Sequence, residues 1–197
     1  MTIPSLMYRH KQITTINKVK NFYSKMNNLM VHVIQNNTEL KYLEHTDRYT
    51  NGKKSSEELW SYFKPYLSVA KDCGTTANSD CISSGLYYLN GTYYGNYNVS
   101  TSYYKMKLKD GGSMWVQGSR GKDACSDTDA GTTNVCGLIF YDVNSTKGPN
   151  TIGRDVFVFV VKSNEIVPVQ VNDCNKNSNG WGCSNYIILN ENMDYLK

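Results

Sequence analysis

The segment MTIPSLMYRHKQITTINKVKNFYSKMNNLM, residues 1–30, decides the fold because it opens a long helical pattern. Apolar side chains recur at steps of three and four residues, which is the spacing of one face of an α-helix. They are Ile13, Ile16, Val19, Phe22, Met26, Leu29 and Val33. The stripe predicts an amphipathic helix over residues 1–37. No N-capping signal precedes it, so we expect that the helix continues N-terminally beyond the given sequence.

Composition and charge narrow the class of protein. A chain of 197 residues with 40% apolar content can bury one sizeable core, so we expect a single domain over residues 1–197. The net charge of +4 is small, and the basic residues of the first helix lie mostly off the stripe, as on a solvated helix face. We therefore predict no nucleic-acid partner. The 16 tyrosines, against 3 Trp and 5 Phe, favour β-strands with one face in water.

The cysteines form three pairs of close sequence neighbours. An even number in such an arrangement indicates disulfides and an oxidising compartment, and bonding between neighbours is the simplest pairing. Bound zinc is the alternative, but thiolate zinc sites usually have the closer C-x2-4-C spacing. The cysteines are Cys73, Cys81, Cys125, Cys136, Cys174 and Cys183.

No export signal accompanies these cysteines. The first residues lack a basic region followed by a long apolar region, and no run of about 18 apolar residues occurs in the chain. We therefore expect that the membrane segment of the full-length protein lies outside the given sequence.

The region after Cys73 has the pattern of an antiparallel sheet. In LYYLNGTYY, residues 86–94, an Asn-Gly turn stands between tyrosine-rich arms, which is a strong hairpin signal. Further strand-like segments, separated by turn residues, are STSYYKMKLKD, SMWVQG, GLIFYDV, DVFVFVVK and EIVPVQV. We predict an α+β fold in which the first helix covers an antiparallel sheet within residues 85–197.

A second, shorter helix is predicted between these two parts. The segment SSEELWSYFKPYLSVAKDCG begins with a capping box formed by Ser55 and Glu58 and continues with apolar residues at helical spacing. Pro65 should break or re-angle this helix. We expect a helical insertion over residues 55–72.

Four segments together resemble the type IV pilin-like family, which includes the pilins and the type II secretion pseudopilins of bacteria. The first 30 residues look like the second half of that family's N-terminal helix, and Pro4 matches the proline that kinks it. The other three segments are similar to a cysteine-containing subgroup of the family. They are SSEELWSYFKPYLSVAKDCG, CGLIFYDVNSTKGPNTIGRDVFVFVV and GWGCSNYIILNENMDYLK.

The resemblance implies a pilin-like fold and a structural role without enzymatic activity. The protein would be a subunit of a type IV pilus or of a type II secretion pseudopilus, and its partners would be other subunits and the assembly machinery. It would be exported to the periplasm or cell surface, and an apolar half-helix would anchor the full-length form in the inner membrane before assembly. Part of the stripe would pack on the sheet, and its exposed N-terminal part would contact neighbouring subunits.

The loop DVNSTKGPNTIGRD is the best candidate for metal binding. Its candidate ligands are Asp142, Asn144, Asn150 and Asp155. They offer hard oxygen atoms of the kind that Ca²⁺ selects, and some pseudopilins bind calcium in their sheet loops. The loop is not an EF-hand because Gly153 stands at its twelfth position instead of a bidentate Glu. Asp and Asn also stabilise turns by bonding their own backbone, which is the alternative. With two carboxylates the site would be weak, and no other cofactor is predicted.

The sequence does not favour an enzyme. All histidines lie in the N-terminal quarter and all cysteines follow it, so a Cys–His couple would have to form across the fold and would leave an odd cysteine. The alternative function is an exported cell-surface adhesin or ligand-binding module. It would use a tyrosine-rich surface in GLYYLNGTYYGNYNVSTSYYKMK, because Tyr combines an apolar face with a polar tip.

Overall fold

A computed structural model describes residues 3–118, 125–129 and 131–197, and for residues 3–5 it describes the backbone alone. The α-helices of these residues are α1 (Ile3–Asn36), α2 (Arg48–Phe63) and α3 (Cys183–Asn190). Pro4 stands in the first turn of α1, where a proline is tolerated. The preceding turn, in which the predicted kink would form, lies outside the described residues.

The described β-strands form one main sheet and two small hairpins. They are β1 (Val69–Gly74), β2 (Leu86–Tyr87), β3 (Tyr93–Gly95), β4 (Tyr104–Leu108), β5 (Ser113–Gly118), β6 (Asp127–Asp129), β7 (Thr132–Val135), β8 (Gly137–Asp142), β9 (Val156–Val161) and β10 (Ile166–Pro168). The main sheet has six strands in the order β1-β4-β5-β8-β9-β10, and neighbouring strands are antiparallel. The predicted α+β class, with a long N-terminal helix and an antiparallel sheet, is confirmed.

Helix α1 packs on one face of this sheet from its middle onward. The stripe residues from Ile16 to Val33 are all buried, whereas Ile13 is 56% exposed. Asn27 fastens the helix to the edge of the sheet because its side chain makes two hydrogen bonds with the main chain of Ile166. Its Nδ2 donates to the carbonyl oxygen (2.9 Å), and its Oδ1 accepts from the amide (3.0 Å). The burial of the stripe from Ile16 to Val33 shows that the apolar spacing identifies the face of α1 that packs in the core.

The opposite face of the sheet is covered as well. Trp115 and Phe140 stack there with ring centroids 5.3 Å apart, and Tyr97 and Tyr103 pack over Phe140. Strands β8 and β9 are buried at every position. The expectation of strands with one face in water is wrong for these two. Their sequences GLIFYD and VFVFVV lack apolar–polar alternation, which is typical of strands buried on both faces.

The second helix begins and ends earlier than predicted. Inside α2 the backbone kinks at Asn51, whose side chain accepts a hydrogen bond from the amide of Lys54 (3.0 Å) and so caps the following turn. Ser55, the predicted cap, lies within the helix and is buried. Pro65 ends the helical region in a short 3-10 turn. The chain then pairs as β1, so the sheet begins at Val69 and not within the range that starts at residue 85.

Three disulfides join the cysteines in the pairing expected from the sequence. They are Cys73–Cys81, Cys125–Cys136 and Cys174–Cys183. Such bonds indicate an oxidising extracellular or periplasmic environment. Within the described part of the chain, none of the helices combines the length and the hydropathy of a membrane span.

Lys105 on β4 is a fully buried cation. Its Nζ donates hydrogen bonds to the carbonyl oxygens of Thr76 (3.0 Å) and Ser100 (2.5 Å). Desolvation lowers the pKa of this ammonium group to about 8. The two bonds fasten onto the sheet one loop that precedes the tyrosine-rich segment, at Thr76, and one turn within it, at Ser100.

Candidate metal centre

The four predicted metal ligands lie at one end of the sheet, on the connection between β8 and β9. Asp142 is the last residue of β8, and Asp155 directly precedes β9. The amide of Val143 donates to the carbonyl oxygen of Asp155 (2.9 Å), which holds the two ends of the connection together. The antiparallel pairing therefore brings together side chains that are up to 13 positions apart in sequence.

Asn144 links the two carboxylates. Its backbone amide donates to Oδ1 of Asp142 (3.0 Å), and its side-chain Nδ2 donates to Oδ2 of Asp155 (3.2 Å). Asp155 also accepts from the amides of Asn150 (2.9 Å) and Thr151 (2.6 Å). The turn-stabilising role considered as the alternative is therefore present, and these bonds fix the positions of both carboxyl groups.

Two oxygen atoms in the same loop are left without a partner. The side-chain Oδ1 atoms of Asn144 and Asn150 are buried and accept no hydrogen bond in the described part of the chain. A buried polar atom in this condition destabilises the fold by about 1–3 kcal/mol. Turn formation alone does not explain them, because the turns use the other polar atoms of these residues.

The two carboxyl groups lie in a strongly desolvated environment. Asp142 is 1% exposed and Asp155 is 2% exposed. Burial, together with the charge of Asp155, raises the pKa of Asp142 to about 8, and burial likewise raises the pKa of Asp155. The neighbouring Lys18 directs its Nζ to the carbonyl oxygen of Val143 (2.6 Å). Among the described residues, no cationic side chain forms an ion pair with either carboxylate.

This arrangement has the features of a hard-cation site. Two carboxyl groups and two unpartnered amide oxygens provide the ligand type that Ca²⁺ prefers, and a divalent cation would favour the ionised form of both carboxyl groups. Two carboxyl groups with raised pKa values also occur in acid–base catalysis. Here both are almost completely buried, so a substrate could not reach them without rearrangement.

A second group of possible ligands has a simpler explanation. Cys73, Asp80 and Cys81 lie close enough together to hold an ion. The two sulfur atoms are joined in a disulfide and are therefore not available as thiolates.

Lys18 and Thr151 belong to the surroundings of the site and were not predicted from the sequence. The helical spacing placed Lys18 off the apolar stripe, where a lysine is expected to be solvated. Thr151 acts through its backbone amide, which no side-chain pattern reveals. Comparisons with protein-family models, curated proteins and solved structures find no match for this chain. The candidate site therefore rests on its geometry.

Proposed function

We propose that the chain is the folded domain of a structural subunit of a bacterial type IV pilus or type II secretion pseudopilus, and that it polymerises through α1. The exposure of the N-terminal part of α1 carries this proposal. All residues from 6 to 14 are exposed except Gln12, which is half-buried. Leu6 and Met7 are 61% and 67% exposed, respectively, although both are apolar.

The exposed part of α1 continues the stripe that packs on the sheet. Leu6 and Ile13 are seven residues apart and therefore lie on the same helix face, in line with the buried residues that start at Ile16. The exposed segment of α1, residues 6–14, is too short to form a stable helix in water on its own, so packing against another surface would stabilise it. A helix from a neighbouring subunit offers a matching apolar stripe, so contact between copies of α1 would cover both surfaces.

The length of α1 and the oxidising compartment indicated by the disulfides support the role of a filament subunit. Helix α1 has 34 residues, which corresponds to a rod of roughly 50 Å, and less than its full length is covered by the sheet. The disulfides suit a subunit that assembles outside the cytoplasm. In the full-length form, an apolar segment preceding α1 would anchor the protein in the inner membrane before assembly.

We also infer that the connection between β8 and β9 binds calcium through the oxygens of Asp142, Asn144, Asn150 and Asp155. The unpartnered amide oxygens support this inference most directly, since hydrogen-bonded turns leave them unsatisfied. The role of the ion would be structural, because it would hold the end of the sheet next to α1.

Photo-crosslinking in the cells that make the protein tests the assembly proposal. A benzophenone amino acid at Leu6 or Ile13 should give a ladder of crosslinked copies. The matched control is Leu189 on α3, which is 71% exposed and should give no ladder. Equal crosslinking at all three positions, or monomer at all three, would overturn the proposal. An in-frame region upstream of Met1 that encodes a leader and about 20 apolar residues is expected as well.

The alternative function, an adhesin or ligand-binding module on the tyrosine-rich surface, stays a prediction. Tyr97 and Tyr103 pack on the sheet, and burial raises the pKa of both hydroxyls well above the usual range. Tyr87 and Tyr93 are different because they are 40% and 54% exposed.

A further inference from the structure

A polar pocket of about 480 Å³ lies beside the candidate metal centre and is not used by the assembly proposal. Its polar and aromatic lining residues are Ser83, Ser84, Tyr87, Asn98, Thr146 and Asn150. The volume is within the range of small-molecule sites. One wall comes from the segment before β2, and the other comes from the connection between β8 and β9.

Main-chain contacts hold the two walls in fixed relation. The amide of Tyr87 donates to the carbonyl oxygen of Asn150 (3.0 Å), and the amide of Ile152 donates to the carbonyl oxygen of Tyr87 (2.9 Å). Asn98 supports the first wall because its Nδ2 donates to the carbonyl oxygen of Ile82 (3.2 Å). The hydroxyl of Ser145 lies 2.6 Å from the hydroxyl of Ser113. The Ser113 hydroxyl donates a hydrogen bond to the backbone carbonyl oxygen of Cys81. The pocket is therefore preformed, which limits the entropy lost on binding.

The chemistry of the lining selects a neutral ligand with many hydroxyl groups. None of the lining residues carries a charge. Ser84 and Thr146 are exposed residues whose hydroxyls make no hydrogen bond to the described protein, so both can donate to and accept from a ligand. A charged ligand would lose its hydration there without gaining an ion pair with any lining side chain.

The aromatic group at the rim adds a flat apolar surface. Tyr87 is 40% exposed, and the ring of Tyr93 meets it edge-on with centroids 5.5 Å apart. This contact restricts the orientation of Tyr87. A pyranose ring has the matching form, because its hydroxyl groups project from the edge while its C–H groups form an apolar face.

We propose that this pocket binds a neutral carbohydrate, with Tyr87 stacking on the sugar ring and Ser84 and Thr146 bonding its hydroxyls. The proposal does not depend on filament assembly, because all of these residues belong to one chain. A peptide backbone or a charged sugar would require a different set of contacts, and each is an outcome of the test below.

The test is a screen of the fluorescently labelled 197-residue chain on an array of neutral, sialylated and sulfated glycans, in buffer containing calcium. Binding to at least one neutral glycan is expected. The free methyl glycoside of its terminal sugar is then titrated by NMR or calorimetry. Binding of charged glycans alone, or of no glycan, would overturn the proposal.

Variants locate the binding in the pocket. Tyr87→Ala should weaken the affinity at least about tenfold, and Thr146→Val, which keeps the shape but removes the hydroxyl, should weaken it several-fold. Tyr42→Ala is the matched control because Tyr42 is 69% exposed and does not line the pocket. Unchanged melting temperatures would show that each variant is folded. Equal affinity of Tyr87→Ala and the native chain would refute the assignment, whatever the result for filament assembly.

Discussion

Phe22 on α1 stacks on Tyr141 on β8, with ring centroids 4.0 Å apart and ring planes within 2° of each other. The hydroxyl of Tyr141 donates to Oδ2 of Asp110 (2.9 Å), in the turn between β4 and β5. The Tyr141 ring, on which Phe22 of α1 packs, is therefore held in place by the hydrogen bond of its hydroxyl group. Stacked aromatic pairs of this kind stabilise beyond the area that they bury, so this contact sets the position of α1 on the sheet.

Replacing Phe22 with Ala should lower the free energy of unfolding by about 3–5 kcal/mol. The reason is the loss of a buried aromatic ring and the cavity left beneath α1. Chemical denaturation followed by circular dichroism measures the change. Ile13→Ala is the matched control on the same stripe, and it should change the stability by no more than about 0.5 kcal/mol because Ile13 is exposed. Equal losses for the two variants would show that α1 does not pack as described.

Calcium should raise the melting temperature relative to protein in EDTA. An ion that binds the folded state alone stabilises it by about 2.7 kcal/mol at a concentration 100 times the dissociation constant, and a site with two carboxylates requires high concentrations for this. Asp142→Asn and Asp155→Asn should each abolish the shift. Asp173→Asn, in an exposed loop, should preserve it. A full shift in both site variants would place the ion elsewhere.

The stability of the metal-free protein should fall as the pH rises from about 4 to 8. The pKa of Asp142 is about 8 in the folded state, so the folded protein keeps a proton that the unfolded chain has already lost. Each pH unit in this window therefore lowers the free energy of unfolding by up to about 1.4 kcal/mol. Urea denaturation at several pH values, in EDTA, measures the slope.

Two comparisons isolate this effect. Asp142→Asn should make the profile less steep because it removes one of the two carboxyl groups whose pKa values are raised. Calcium should also flatten it, since the ion binds the deprotonated carboxylates and its affinity rises with pH. A native protein whose stability is constant or increases from pH 4 to 8 without metal would contradict the electrostatic description of the loop.

The stability should rise again between about pH 8 and pH 9 because of Lys105, before the buried tyrosines, whose pKa values burial raises, act in the opposite direction at higher pH. Its pKa is about 8 when folded, against about 10.4 in the unfolded chain, so the unfolded state binds more protons in this window. Lys105→Met should lose the rise. Lys107→Met, which removes a partly exposed lysine from the same strand, should retain it. An identical profile for both variants would mean that the ammonium group of Lys105 is solvated.

The elements with a clear local signal were predictable from the sequence. The stripe of α1 and the Asn90–Gly91 turn between β2 and β3 follow from spacing and turn chemistry alone. Strand β1 was missed because it is an edge strand with largely exposed polar positions. Helix α3, with the sequence CSNYIILN, was missed because a short apolar run does not distinguish a helix from a strand.

The candidate metal site was predictable in part, because some of its residues lie at the ends of strands that have a clear local signal. Oxygen-bearing residues at the end of one strand and the start of the next must approach each other if the strands pair, so the grouping of Asp142 with Asp155 follows from the sequence. The unpartnered oxygens of Asn144 and Asn150 depend on the path of the loop between them, and residue type does not determine that path.

The position of residues 195–197 has a practical consequence for anyone who labels this protein. Tyr195 donates from its hydroxyl to the carbonyl oxygen of Gly153 (2.6 Å), and Leu196 lines the same groove as Tyr8 of α1. A fluorescent protein fused after Lys197 would therefore sit beside the helix segment proposed to contact neighbouring copies, and filaments could be lost for reasons unrelated to the native chain. An epitope inserted at the exposed Lys176, inside the loop closed by the Cys174–Cys183 disulfide, would leave the N-terminal segment of α1 free to contact neighbouring copies.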